Sequence, residues 1–293
     1  MISIERIATR PADLGGGMIV RRALPTRQRR MVGAWCFLDH AGPVEFPEGE
    51  SMRVGAHPHT ALQTFTWLIE GEILHRDSLG SEQIIRPGQV NLMTAGRGIV
   101  HTEDSLPHVR RLHAAQLWIA LPREAADCAP AFDHHPKLPN WTENDCELTL
   151  LAGTYRGHRA PVRLYSPLLC LDLYSMPGAT IELELNPDFE YGILPLEGSV
   201  FLEGNSFAMD EFIYLGVGID KLRLKLAAGS RLLLLGGEPF GEPIVMWWNF
   251  VGHNKSAIAA AQREWESGGL RFGHVEGDDG RRLVAPTLPW SGY

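Results

Sequence analysis

The chain has 293 residues, 44% hydrophobic and 21% charged, the balance of a soluble globular protein with enough core for two domains. A formal net charge of -8 argues against direct nucleic-acid binding, which needs clustered Lys and Arg. No apolar run reaches the ~20 residues of a membrane helix, and the N-terminus lacks the layout of a signal peptide, so a cytoplasmic protein without membrane contact is expected.

From Met1 to about Arg30 the chain is polar, with a turn at Gly15-Gly16-Gly17 and a basic patch (Arg21, Arg22, Arg27, Arg29, Arg30) that reads as a solvated loop. A short apolar segment, Trp35 to Leu38, is broken by Asp39-His40-Ala41-Gly42-Pro43, where His40 reads as a lone loop histidine. His57-Pro58-His59 then leads into Thr60 to Ile69, a β-branched and aromatic run of strand character. A period of two carried through it places His57, His59, Ala61, Gln63, Phe65 and Trp67 on one face, with Phe65 and Trp67 lining the apolar side of a pocket. Ile73-Leu74-His75 starts a return strand and Asp77 to Gly80 turns again. Ala95-Gly96-Arg97-Gly98 is a tight turn feeding Ile99 to Glu103, and Leu112 to Leu121 is a further strand. Short strands with turn signals every eight to twelve residues indicate an antiparallel barrel or sandwich.

Two strings carry the chemistry. His57-x-His59 and His101-x-Glu103 each place two ligand-type side chains at i and i+2, which on a strand point to one face. Three imidazoles and a carboxylate suit a divalent first-row metal with open positions. Fe(II) is favoured, although Mn, Ni, Cu or Zn can take its place, the later metals being bound more tightly. Cys36, Cys128, Cys146 and Cys170 have no zinc spacing and read as reduced thiols.

From about Pro122 to Thr142 the composition shifts to Pro, His, Asp and Asn, and the stretch, including His134 and His135, reads as a surface linker. The second half then repeats the first. Gly216, Gly218 and Ile219 fall on Gly96, Gly98 and Ile99 at a constant offset of 120 residues, so a duplicated barrel is expected. The same offset carries His101 to Lys221 and Glu103 to Arg223, so the second barrel is expected to hold no metal. The domains expected are residues 1–130, with the metal site, and residues 131–293, comprising the linker, the second barrel and a helix at Lys255 to Glu266. In that helix Ile258, Ala261 and Trp265 form one stripe, stopped by Gly268-Gly269.

His57-Pro58-His59, Leu68-Ile69-Glu70-Gly71, the run Met93 to His101 ending in Glu103, and Gly237-Glu238-Pro239 together resemble the pirin family, a two-barrel branch of the cupins. Trp247-Trp248-Asn249-Phe250-Val251 resembles its bacterial members. The resemblance implies an all-β fold of two antiparallel cupin β-barrels, a bicupin, with a mononuclear iron on His57, His59, His101 and Glu103. It implies one of two roles. The first is a quercetin 2,3-dioxygenase, in which Glu103 takes a proton from a small aromatic substrate such as a flavonol and O₂ opens the ring with release of carbon monoxide. The second is a metal- or redox-dependent regulator acting through a protein partner. Where cupins often keep a glutamate this chain has Gln63, which cannot act as a base, leaving Glu103. A barrel that binds a small metabolite without turnover is a third reading.

Overall fold

A computed structural model describes residues 2–14 and 18–291; the Gly15-Gly16-Gly17 turn lies outside the described residues. The chain forms two compact units that are each discontinuous in sequence. One comprises residues 1–12, 21–40 and 137–240, and the other residues 13–20, 41–136 and 241–293. This differs from a contiguous division at residue 130: the C-terminal segment with the helix belongs to the unit of His57 and His101.

That unit is built on two antiparallel sheets. A four-stranded sheet runs in the order Arg53–His59, Ile99–Ser105, Ile73–Asp77, Glu82–Ile85. Opposite residues share a face in such a ladder. His101 pairs with His57 on one side and with Asp77 on the other, and Glu103 pairs with His75. A bulge between His101 and Glu103 shifts the register against Arg53–His59, so Glu103 falls opposite Val54 on that side. The second sheet contains Ala131–His135, Val90–Thr94, Leu62–Glu70 and Arg111–Ala120 in that order.

Two expectations change here. Residues 131–135 are not linker but a strand paired along Val90–Thr94, where Phe132 stacks on the His75 ring. And the period of two does not run from His59 into Leu62–Glu70: Ala61 takes a left-handed backbone (φ 51°) and breaks the alternation. Thr64 and Thr66 then share a face with Trp118 and Gln116, while Phe65 and Trp67 lie on the other face, opposite Leu117 and Ala115.

In the other unit a seven-stranded sheet runs Ile4–Ala8, Glu211–Leu215, Glu190–Glu197, Ser230–Gly237, Leu168–Ser175, Cys146–Ala152, Asn140–Glu143, beside a four-stranded sheet of Ala179–Glu184, Lys221–Leu226, Ser199–Leu202 and Asn205–Ala208. Leu222, Leu224 and Leu226 of the strand Lys221–Leu226 are buried with Ile181, Leu183, Leu232 and Leu234, whereas Lys221 and Arg223 are exposed. The two cations therefore do not stand inside the barrel, as the offset of 120 suggested. They flank leucines that fill it.

The Asp39-His40 break is also absent: Trp35–Glu45 is one strand, with Asp39 accepting two hydrogen bonds from Arg22 and His40 bonded to Asp210. The helix Lys255–Glu266 falls where its pattern put it, capped by Asn254 Oδ1, which accepts from Ala257 N at 2.8 Å. Its Ile258, Ala261 and Trp265 pack with Phe250, Phe272, Ala56 and Val100. All four cysteines are free.

Candidate metal centre

The four-stranded sheet turns one face of alternating polar side chains inward: His57, His59, His75, Asp77, His101 and Glu103. All but Glu103 are buried. An apolar barrel holds such a set only if every member is hydrogen-bonded or ligated. Two clusters of ligand-type atoms result. His57, His59 and His101 bring one ligand atom each within 4.8 Å of one another, and so do His75, His101 and Glu103. The expected quartet is thus divided, with His101 common to both clusters and Glu103 grouped with His75.

Hydrogen bonds fix the tautomers of two rings. His57 Nδ1 donates to the Gly55 carbonyl at 2.8 Å and His59 Nδ1 to the Asn249 carbonyl at 2.9 Å. A carbonyl only accepts, so each Nδ1 carries the proton and each Nε2 is left with a lone pair. The His59 and His101 Nε2 atoms stand 3.1 Å apart, close to the roughly 3.0 Å that separates two adjacent nitrogens each about 2.1 Å from one ion. His101 Nδ1 lies 3.4 Å from His75 Nδ1, and His75 Nε2 lies 3.0 Å from Asp77 Oδ2. Nitrogen lone pairs with no acidic proton to share are a donor set for a borderline first-row cation, so the residues present fit such a metal.

Burial sets the charge state. It depresses the His57 imidazole from 6.5 to about 4 against the help of its Gly55 hydrogen bond, and holds His59 and His101 well below 6.5, where neighbouring imidazoles add to the effect. All three imidazoles are neutral at neutral pH. Burial raises the Glu103 carboxyl, opposed by His75 and by the Thr66 hydroxyl, 3.4 Å from Oε1. Asp77 goes the other way. Burial pushes it up, but its hydrogen bond and attraction to His75 and the N–H groups of Leu79 and Ser81 together hold it below 3.8.

Aromatic rings close the site from the second sheet. Trp118 meets His59 edge-on at 5.0 Å and Phe132 stacks on His75 at 4.3 Å. These take the place expected for Phe65 and Trp67. Gln63 is buried and donates to Thr94 Oγ1 on the face away from Thr66. The sequence reading missed His75 and Asp77, although His75-x-Asp77 has the same i, i+2 spacing as the two strings it used.

The Pirin family model matches residues 17–119, and the model of the Pirin C-terminal cupin domain matches residues 170–273. The chain belongs to the pirin family. This pirin is 61% identical over 287 residues to a Pseudomonas aeruginosa protein named "Putative quercetin 2,3-dioxygenase", covering 98% of this chain and 91% of the relative. It is 38% identical over 271 residues to a pirin-like protein of Caulobacter vibrioides, covering 90% and 93% of the two chains. Among solved structures, quercetin 2,3-dioxygenase from Acinetobacter baumannii superposes with a TM-score of 0.96 at 46% identity, covering 99% of this pirin and 97% of that chain. The two barrels are those of a bicupin. No helix among the described residues is long and apolar enough to cross a membrane.

Proposed function

We propose that this pirin is a mononuclear metal enzyme that cleaves a flavonol with O₂, a quercetin 2,3-dioxygenase, with Fe(II) held by His57, His59, His101 and Glu103. The observation that carries the metal assignment is the approach of His59 Nε2 and His101 Nε2 to 3.1 Å inside a buried cluster whose imidazoles are held neutral. The substrate class is supported by the names of the Pseudomonas and Acinetobacter proteins. A bound first-row ion supplies a Lewis acid with positions left for exogenous ligands.

The chain's own residues account for the rest. Glu103, raised by burial, is a stronger base than an exposed carboxylate and takes the proton of the substrate hydroxyl. The Thr66 hydroxyl stands between two acceptors, 2.9 Å from Gln116 Oε1 and 3.4 Å from Glu103 Oε1, and has one proton to give to either. Trp118 and Phe132 give a flat aromatic ring an apolar surface to lie against. Gln63, on the far face of its strand, takes no part.

The test is an anaerobic-then-aerobic assay of Fe(II)-loaded protein. Equimolar loss of quercetin and O₂ with release of carbon monoxide is expected. Glu103→Gln should lose roughly 10²–10⁴ of the rate, the usual size of a general-base contribution. No O₂ uptake by the Fe, Mn, Ni or Cu forms would refute the proposal, and unchanged turnover in Glu103→Gln would refute the base.

A further inference from the structure

We infer that the unit holding residues 137–240 carries a binding site of its own, for a small aromatic carboxylate, with Arg159 and Tyr155 receiving the carboxylate and Phe189 the ring. The inference is independent of the metal reading, because every residue in it lies in the unit that does not hold His57, His59 and His101.

The sequence sets this stretch apart. In a chain of net charge -8, residues 148–171 contain no Asp or Glu, yet they include Arg156, His158, Arg159 and Arg163. Thr154-Tyr155 and His158-Arg159 pair as a short hairpin, closed by Ala160 N, which donates to the Gly153 carbonyl at 3.0 Å. The hairpin, the segment leading to Leu169 and the loop from Glu184 to Tyr191 border a cavity of about 640 Å³. That is within the roughly 300–1,000 Å³ of clefts that take small molecules. Its base is rigid, since Tyr155, Leu169 and Tyr191 belong to the buried apolar cluster that fills this barrel. Its rim is clasped as well: the Tyr191 hydroxyl accepts from Asn186 N at 2.8 Å and donates to the Asn186 carbonyl at 2.9 Å. The loop that carries Phe189 is thus held in place by the protein itself.

Three guanidinium groups line the cavity, and their commitments differ. Arg156 forms an ion pair with Glu143, donates to the Glu182 carbonyl at 3.2 Å and is drawn to Glu184. Arg163 lies over the Tyr165 ring, 5.1 Å from its centroid. Arg159 is exposed and has no acidic partner among the described residues. Against the three cations stand two carboxylates, Glu184 in the lining and Glu143 behind Arg156, so one positive charge is left over. An excess of one suits a monoanion, and a guanidinium receives a carboxylate through paired hydrogen bonds.

A second donor lies in the same wall. Tyr155 is 6% exposed, and its hydroxyl has no hydrogen-bond partner, the Glu184 backbone being a polar neighbour outside bonding geometry. A buried hydroxyl left unbonded is costly, and a ligand carboxylate supplies the acceptor it lacks. Phe189 completes the site. It is partly exposed, 6.3 Å from the Tyr191 ring, and with Leu164 and Leu168 it offers a flat ring an apolar wall.

Calorimetric titration of the full chain with 2-naphthoate, 2-naphthol and inorganic phosphate, each with and without EDTA, tests this. Naphthoate should fill one saturable site per chain whether or not EDTA is present, and bind at least ~10-fold more tightly than naphthol, which lacks the charge, or phosphate, which lacks the ring. Arg159→Gln, at an exposed position, should weaken naphthoate about 10–100-fold. Tyr155→Phe removes a hydroxyl that no protein group uses, so it should weaken naphthoate roughly 5–10-fold at unchanged melting temperature. Absence of saturable binding, naphthol or phosphate binding within about twofold of naphthoate, or an affinity within about twofold of wild type in either variant overturns the site. Binding that EDTA abolishes also overturns it, because the naphthoate would then be held by a metal.

Discussion

Three imidazoles packed this closely cannot all be protonated, and their burial makes them costly to protonate even singly. The sign of the pH effect follows. In the unfolded chain these histidines take up protons below about 6.5. In the fold His57 resists until about 4, and His59 and His101 are likewise held well below 6.5. Between those limits the unfolded state binds more protons, so stability present above pH 6.5 is lost as pH falls toward 4, the His57 share being on the order of 3 kcal/mol. Urea denaturation of chelator-treated protein should show the unfolding free energy falling between pH 7 and 5, and falling less in His101→Leu. A flat profile would mean that the imidazoles take up protons as readily in the native state as in the unfolded chain. His57, His59 and His101 were legible in the sequence because i, i+2 spacing on a strand needs no tertiary information. Asp77 was not, because Asp77 to Gly80 also reads as a turn, and Asp77 does both jobs, holding the Leu79 and Ser81 N–H groups and bonding His75.

At the scale of elements, face assignment failed wherever the backbone left the regular pleat. The left-handed Ala61 reversed the parity of Leu62–Glu70, and the register shift between His101 and Glu103 set Glu103 opposite Val54 on the side of Arg53–His59. Neither is written in a hydrophobic pattern, because each depends on which neighbour the strand pairs with. The duplication was legible as a rhythm of turns but not as a register, which is why Lys221 and Arg223 stand outside a leucine-filled barrel. The turn before the site strand is more demanding. Gly96 has φ +49°, and a Cβ there would stand 2.1 Å from the Cys128 carbonyl oxygen. Its own carbonyl accepts from Ala61 N at 2.8 Å, tying together the turns that precede the strands bearing His101 and Thr66. Gly96→Ala is expected to cost more than about 2 kcal/mol of stability and to weaken metal binding with it. Gly80→Ala, at φ +83° with nothing near its Cβ, should cost about 1 kcal/mol and leave metal binding alone. Equal effects of the two in thermal melts and metal titrations would contradict this.

Over the whole molecule, sequence order and unit membership part company. Residues 241–293 return to the unit that holds the imidazoles. There Val251 N donates to the Thr60 carbonyl at 3.2 Å, Leu283 N donates to the Ala56 carbonyl at 2.8 Å, and the Asn249 carbonyl holds His59. Deleting residues 241–293 strips Phe250, Ile258, Trp265 and Phe272 from Ala56 and Val100, so the truncated chain should lose cooperative unfolding and metal uptake together. Retention of either would show that this segment is dispensable. The claim on which the functional reading stands is that His57, His59 and His101 hold one metal ion. Elemental analysis of purified protein after chelation, reloading with Fe(II) under anaerobic conditions and desalting tests it most directly. One iron per chain is expected for wild type and almost none for His101→Ala at unchanged secondary structure; equal iron in the two proteins would contradict it.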